Sequence, residues 1–229
     1  MNSNFTARGK TGEIWLYDPI GDSSWGDAVS AKSFQKELTA MGKVDTINLH
    51  INSPGGSVFD GVTIYNQLKQ HPARVVVDID GLAASIASVI AMAGDTRRMA
   101  KNATMMIHNP EGVAVGGENE MDRVKALLRG VKTSIVDTYS DRTGADRIKV
   151  SDWMDAETWF FADAAYQNGF VDEITGATKV TAFFDINRFG NVPASLRQQM
   201  QASAPTPAMD IRRQRIDGMN TKVAALLCA

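Results

Sequence analysis

Along the first half of the chain, stretches in which apolar residues recur every second position alternate with stretches in which they recur at helical spacing. Residues 13–17 form a short alternating segment and run into the Gly- and Ser-rich residues 21–26, which predicts a strand followed by a loop. Ser30 is placed to cap a helix whose apolar positions Phe34, Leu38 and Met41 share one face, with Gly42 as its stop. Over residues 44–51, Ile47, Leu49 and Ile51 alternate with Asn48 and His50, a strand that ends in the turn Asn52-Ser53-Pro54-Gly55-Gly56-Ser57. Helical spacing returns over residues 58–69, with Val62, Tyr65 and Leu68 on the apolar face.

Residues 74–79 are β-branched and nearly continuous, the pattern of a strand buried on both faces of a parallel sheet. Gly81-Leu82-Ala83-Ala84-Ser85 follows directly, then a helix of small residues over 86–93. Another apolar run, 104–107, ends in His108-Asn109-Pro110, where proline stops regular structure. Strands alternating with helices predict an α/β fold of βα units with a right-handed, largely parallel sheet. Beyond it, residues 112–117 are rich in Gly and Val. Residues 118–139 form a long amphipathic helix on Met121, Val124, Leu127, Leu128, Val131 and Ile135, an excursion from the compact core. A last βα element passes through Trp159 and Phe161, then a helix over 162–168 with Gly169 as its cap, before Phe170-Val171-Asp172. Residues 198–207 have linker composition, and 210–227 suit a short helix.

Composition narrows the function classes. A chain of 229 residues, 44% hydrophobic and 22% charged, is an ordinary globular protein with room for one sizeable domain plus terminal extras. Its net charge of −2 comes with scattered Lys and Arg, so neither a nucleic acid nor an anionic membrane is an expected partner. The single cysteine, Cys228, excludes an intramolecular disulfide framework and a multi-cysteine metal site, which fits a reducing cytoplasm. Residues 1–10 are polar and no run approaches the ~18 apolar residues of a membrane span, so a soluble cytoplasmic protein is expected.

Candidate chemistry centres on Ser85, a serine at a strand-to-helix junction whose neighbours are small enough to let a substrate approach. Serine at such a position is more often a plain helix cap, so its context must decide. Of the three histidines, His50 falls within a strand and His71 precedes a proline at a helix end, both surface or cap positions. His108 lies at a strand end, where open α/β sheets gather functional groups. A glycine turn at residues 53–56 and the N–H of Ile86, just after the serine, can supply the donors that an acyl-transfer site aims at an oxyanion.

Ile51-Asn52-Ser53-Pro54-Gly55-Gly56, Gly81 to Ser85 and Met106-Ile107-His108-Asn109-Pro110 resemble, in that order, the glycine turn, nucleophile segment and histidine segment of the ClpP peptidase family. The resemblance implies the ClpP/crotonase-like spiral of βα units over residues 13–178, preceded by a polar segment 1–12 and followed by an extension 179–229. It implies Ser85 as nucleophile, His108 as general base and the N–H groups of Gly56 and Ile86 as oxyanion hole. Aligning Phe170-Val171-Asp172 with the family's ending places Glu157 as the third triad member where housekeeping enzymes have aspartate, with Asp155 as its competitor. No metal or cofactor is implied. Residues 112–140 are similar to the strand-and-helix handle of the family, which implies a homo-oligomeric, heptameric ring, with rings stacked in pairs as a further option.

Gly94-Asp95, Asp155-Ala156-Glu157-Thr158-Trp159 and the extra tail look most like the ClpP-related head-maturation proteases of tailed phages, which implies an ATP-independent endopeptidase acting on capsid or scaffold proteins. The alternatives are a housekeeping-type peptidase that works with an unfoldase and a non-catalytic, ring-forming structural protein.

Overall fold

The strand patterns assemble into one mixed, eight-stranded sheet in the computed structural model of the chain, which describes residues 5–22, 28–178 and 184–202. Six strands follow one another in the order β1 (Phe5–Arg8), β2 (Thr11–Leu16), β3 (Thr46–Ser53), β4 (Arg74–Ala84), β5 (Thr96–Ala100) and β8 (Glu173–Thr175). All neighbours in that series are parallel except β1 and β2. The expected polar N-terminal segment therefore supplies an edge strand, anchored where the Phe5 ring meets Phe34 edge-on at 5.4 Å. Strand β4 is long enough to serve two partners. Its first half pairs with β5, whereas Leu82, Ala83 and Ala84 pair with β6 (Thr104–Ile107), which in turn pairs antiparallel with β7 (Thr158–Phe161).

Alternation decides the faces. Ile47, Leu49 and Ile51 of β3 and Val75, Val77 and Ile79 of β4 are fully buried, packed under Phe34 and Leu38 of α1 (Ala31–Ala40) and Ile64 and Leu68 of α2 (Val58–Gln70). The buried stripe of α2 is Gly61, Ile64 and Leu68, with Val62 and Tyr65 at its margin. The other face of the sheet is polar. Val76, Asp78 and Asp80 are half-buried there, so β4 is not enclosed on both faces as its continuous apolar run implied. On this face Asn48 donates to Glu13 (2.8 Å), and Arg98 forks onto Asp78 (2.7 and 2.6 Å).

Ser30 caps α1 as expected, accepting from the N–H of Ser33. Short α3 (Ile86–Ala91) is buried along its whole length. The long helix α4 (Glu118–Thr143) buries only Ile135, Val136 and Tyr139, in its last third, and projects over the rest of its length. Residues 112–117 form no strand, in contrast to the expected strand-and-helix handle. A strand needs an edge to pair with, and Val113 and Val115 stand 90% and 86% exposed. Between α4 and β7 lies α5 (Arg147–Asp155), capped by Asp146, and β7 leads into α6 (Ala162–Gln167).

The chain divides into two compact units, Met1–Asn191 and Val192–Ala229. In the second, α7 (Ala194–Ala202) extends helix into the stretch whose composition suggested a linker, since its Ala, Leu, Arg and Gln are good helix formers. The rest of that linker, the helix expected over 210–227, Cys228 and most of the loop expected at 21–26 lie outside the described residues. Among the described residues, no helix is long and apolar enough to cross a membrane.

Candidate active site

The register of β4 against β6 sets Ala84 opposite Met106, and the N–H of Ser85 donates to the Met106 carbonyl at 2.9 Å. Two residues further along β6 the chain reaches His108, and its Nε2 meets Ser85 Oγ at 2.7 Å. Ser85 occupies the cap position of α3 but makes no capping bond with its side chain. Its backbone sits at φ 55° and ψ −130°, a strained conformation for a residue with a Cβ, so the hydroxyl is turned toward the imidazole. Among the described residues, Ser85 and Glu157 (φ 48°) are the two non-glycine residues with positive φ.

The glycine turn packs directly on this junction. A Cβ on Gly55, at φ +81°, would lie 2.6 Å from the Ala84 carbonyl, 2.8 Å from Ser85 Cβ and 3.0 Å from Ile86 N. Only glycine fits so close an approach. The turn is pinned from the other side by Ile20, whose N–H donates to the Gly55 carbonyl (3.0 Å) and whose carbonyl accepts from Ser57 N–H (2.8 Å). Gly56 is exposed, while Ile86 is buried in the first turn of α3.

The His108 side chain is only 13% exposed. Burial pushes its pKa below the ordinary histidine value, opposed by the nearby Glu111 and Glu157 charges and reinforced by Arg188. A neutral imidazole at neutral pH is what a general base requires, with Nε2 free to accept the Ser85 proton. Its Nδ1 lies 3.8 Å from Glu111 Oε1, an ion-pair distance beyond hydrogen-bond reach, and Glu111 is 83% exposed.

Neither carboxylate singled out for the third position bonds to His108. Glu157 accepts instead from Gly190 N–H (2.9 Å), Asn191 N–H (2.7 Å) and Trp159 Nε1 (3.2 Å). Both of its oxygens are thus engaged by donors other than the imidazole. Asp155 is held by Lys132 (2.5 Å) and Asn109 (2.7 Å), which lower its pKa.

Residues 188–191 went unread in the sequence because a short aperiodic segment carries no pattern. Arg188 donates to the Pro54 carbonyl of the glycine turn and lies 4.7 Å over the Phe189 ring. Phe189, 6% exposed, stands edge-on to His108 at 5.8 Å and to Trp159 at 5.6 Å. An open groove lined by Asn109, Pro110, Met121, Val124 and Leu128 starts one residue beyond His108. No group of three or more His, Cys, Asp or Glu side chains among the described residues could hold a metal ion.

A serine hydroxyl bonded to a desolvated imidazole, on a strained turn with glycine packed against it, is the arrangement of a serine hydrolase. The family profile described as Clp protease matches residues 9–178, and the chain belongs to that family of serine peptidases. It is 35% identical over 165 residues to the ATP-dependent Clp protease proteolytic subunit 1 of Chlamydia abortus, covering 70% of this chain and 84% of that one. To the ATP-dependent Clp protease proteolytic subunit of Bacteroides fragilis it is 31% identical over 153 residues, or 65% of this chain and 74% of that one. A solved ClpP1 mutant from Listeria monocytogenes superposes with a TM-score of 0.63 at 26% identity, covering 72% of this chain and 91% of that one. The α/β, ClpP-like fold expected from the three motifs is the fold observed.

Proposed function

We propose that the protein is a serine endopeptidase in which Ser85 attacks a peptide carbonyl while His108 Nε2 takes the hydroxyl proton. The imidazolium then protonates the leaving amine, the C–N bond breaks, and His108 activates the water that hydrolyses the Ser85 ester. Amide N–H groups of Gly56 and Ile86 would face the developing oxyanion, and Glu157 would orient His108 once its carboxylate is free to do so. The observation that carries this reading is the 2.7 Å bond between Ser85 and His108. Hydrolysis of an unfolded protein substrate, lost in Ser85→Ala, tests it; turnover that survives the substitution overturns it.

Assembly into a homo-oligomeric ring is supported by the exposure of Val113, Val115, Met121 (44%) and Leu127 (52%) along the projecting segment, apolar surface that a second copy would cover. Native-mass sizing reads the ring number, expected as seven or a double ring of sevens on the family resemblance, and a monomer at assay concentration removes the proposal. For substrates, the Gly94-Asp95 turn, residues 155–159 and the tail favour capsid or scaffold proteins cleaved without ATP during head maturation of a phage. A second reading, work alongside an unfoldase, is favoured by the relatives, which are named as proteolytic subunits of an ATP-dependent protease. Cleavage of a folded substrate only when an AAA+ ATPase and ATP are added selects the second; ATP-independent cleavage of scaffold protein selects the first.

A further inference from the structure

Residues 186–191, a short 3-10 turn at Ile186–Arg188 and the three residues after it, lie beside the Ser85–His108 pair and touch it on three sides, from the glycine turn to Glu157. On one side the Arg188 guanidinium donates to the Pro54 carbonyl, on the turn that bears Gly56. In the middle, Phe189 is buried against His108 and Trp159. On the other side, the N–H groups of Gly190 and Asn191 hold both oxygens of Glu157, and Asn191 Nδ2 donates to the Ala156 carbonyl (2.8 Å).

Three independent anchors thus converge on three parts of one site: the glycine turn, the base and the carboxylate placed third by family alignment. Glu157 itself follows the C-cap of α5 with a left-handed φ of 48°, its N–H donating to the Met154 carbonyl (3.2 Å), which fixes where its side chain leaves the helix end.

We propose that residues 186–191 are a built-in inhibitor, which lies where substrate must lie and withholds Glu157 from His108 Nδ1, so that the folded chain is latent until this strap is displaced. The proposal rests on the serine-peptidase reading. The strap leaves the Ser85–His108 bond intact, so the latent form reacts slowly with a small electrophile; displacement admits peptide and lets Glu157 turn onto the imidazole.

The test uses the full chain and follows Ser85 modification by a fluorophosphonate, with intact mass as readout, in wild type, Phe189→Ala and Arg188→Ala, each checked for an unchanged melting transition. Both variants are expected to label at least tenfold faster, and the synthetic peptide Ile-Asn-Arg-Phe-Gly-Asn is expected to slow Phe189→Ala back toward wild type. Equal labelling rates in all three, with no effect of the peptide, overturn the strap while leaving the nucleophile in place. Titration of His108 by NMR in the Ser85→Ala background separates the two readings. Strap release there raises its pKa as Glu157 approaches, whether or not Ser85 is a nucleophile. An unmoved titration in Ser85→Ala/Phe189→Ala overturns the strap.

Discussion

His50 and His108 both stand at the sheet, both are partly buried, and their environments do opposite things to them. His50 is gripped from both sides: Nδ1 meets Asp80 at 2.9 Å, Nε2 meets Glu13 at 3.3 Å, and its ring stacks on Trp15 at 5.5 Å. Its bond to Asp80 raises its pKa against the pull of burial, and Tyr17 adds a further hydrogen bond to the same carboxylate at 2.6 Å. His108 has Ser85 on one nitrogen, an exposed Glu111 at ion-pair distance from the other, and burial as the largest influence, so its pKa falls. A histidine gripped by carboxylates on both nitrogens ties strands together, and its charged form is the one favoured. One whose Nε2 meets a serine hydroxyl rather than a carboxylate, with little water around it, is a base.

That contrast is sharpest in turnover. With the strap released by Phe189→Ala, replacing His108 by alanine should lower peptide hydrolysis by about 10⁴-fold, the loss typical of a disabled serine triad, whereas His50→Gln should stay within about twofold of that parent, because its partners Glu13, Trp15 and Asp80 lie apart from Ser85. A large kinetic loss in His50→Gln, with its fold intact, would erase the distinction. Next in size is Gly55→Ala. Its Cβ would meet Ala84, Ser85 and Ile86, and moving the nucleophile by about an ångström should cost about 100-fold in kcat. Normal turnover there would mean that the turn yields without disturbing Ser85.

Stability separates the same two residues in the other direction. His50→Gln should destabilise the fold by about 1–2 kcal/mol at pH 6, as expected for loss of charged hydrogen bonds in a half-buried site. Because the folded-state pKa of His50 is raised, its contribution is fully present below the ordinary value of 6.5 and fades as pH rises through the folded value. Chemical denaturation of wild type and variant at pH 6 and pH 9 should therefore give a smaller difference at pH 9. For His108 the sign reverses: a lowered pKa makes the folded state lose stability as pH falls below the ordinary value. The smallest expected effect follows from it. The acidic limb of the fluorophosphonate labelling rate should fall below pH 6.5, moving up when Phe189→Ala releases Glu157. A limb above 6.5 in wild type would place the carboxylate against His108 already.

How much of this was legible in the sequence tracks how local each signal is. Ser30 and Gly42 bracketed α1, and the alternation of Ile47, Leu49 and Ile51 gave the face of β3, because a cap and a period of two are written in consecutive residues. Strand β5 escaped notice because Thr96-Arg97-Arg98-Met99 looks polar. Its buried Arg97 is acceptable because of distant partners, Asp172 75 residues away at 2.7 Å from the guanidinium and the Arg142 carbonyl at 3.1 Å. Ser85 and His108 stood out by motif and by position at strand ends, and their meeting depends on the β4–β6 register, which no local pattern encodes. Glu157 was placed by alignment alone. Its engagement by Gly190 and Asn191 is a contact across more than thirty residues of chain between segments with no periodicity, so it could be found only in three dimensions.

The central claim is that Ser85 is a nucleophile activated by His108, and intact-mass spectrometry after prolonged exposure to a fluorophosphonate tests it most directly. One adduct per chain, mapped to Ser85 and absent from both Ser85→Ala and His108→Ala, is the predicted result. An unmodified wild-type chain, or an adduct that persists in Ser85→Ala, would contradict it.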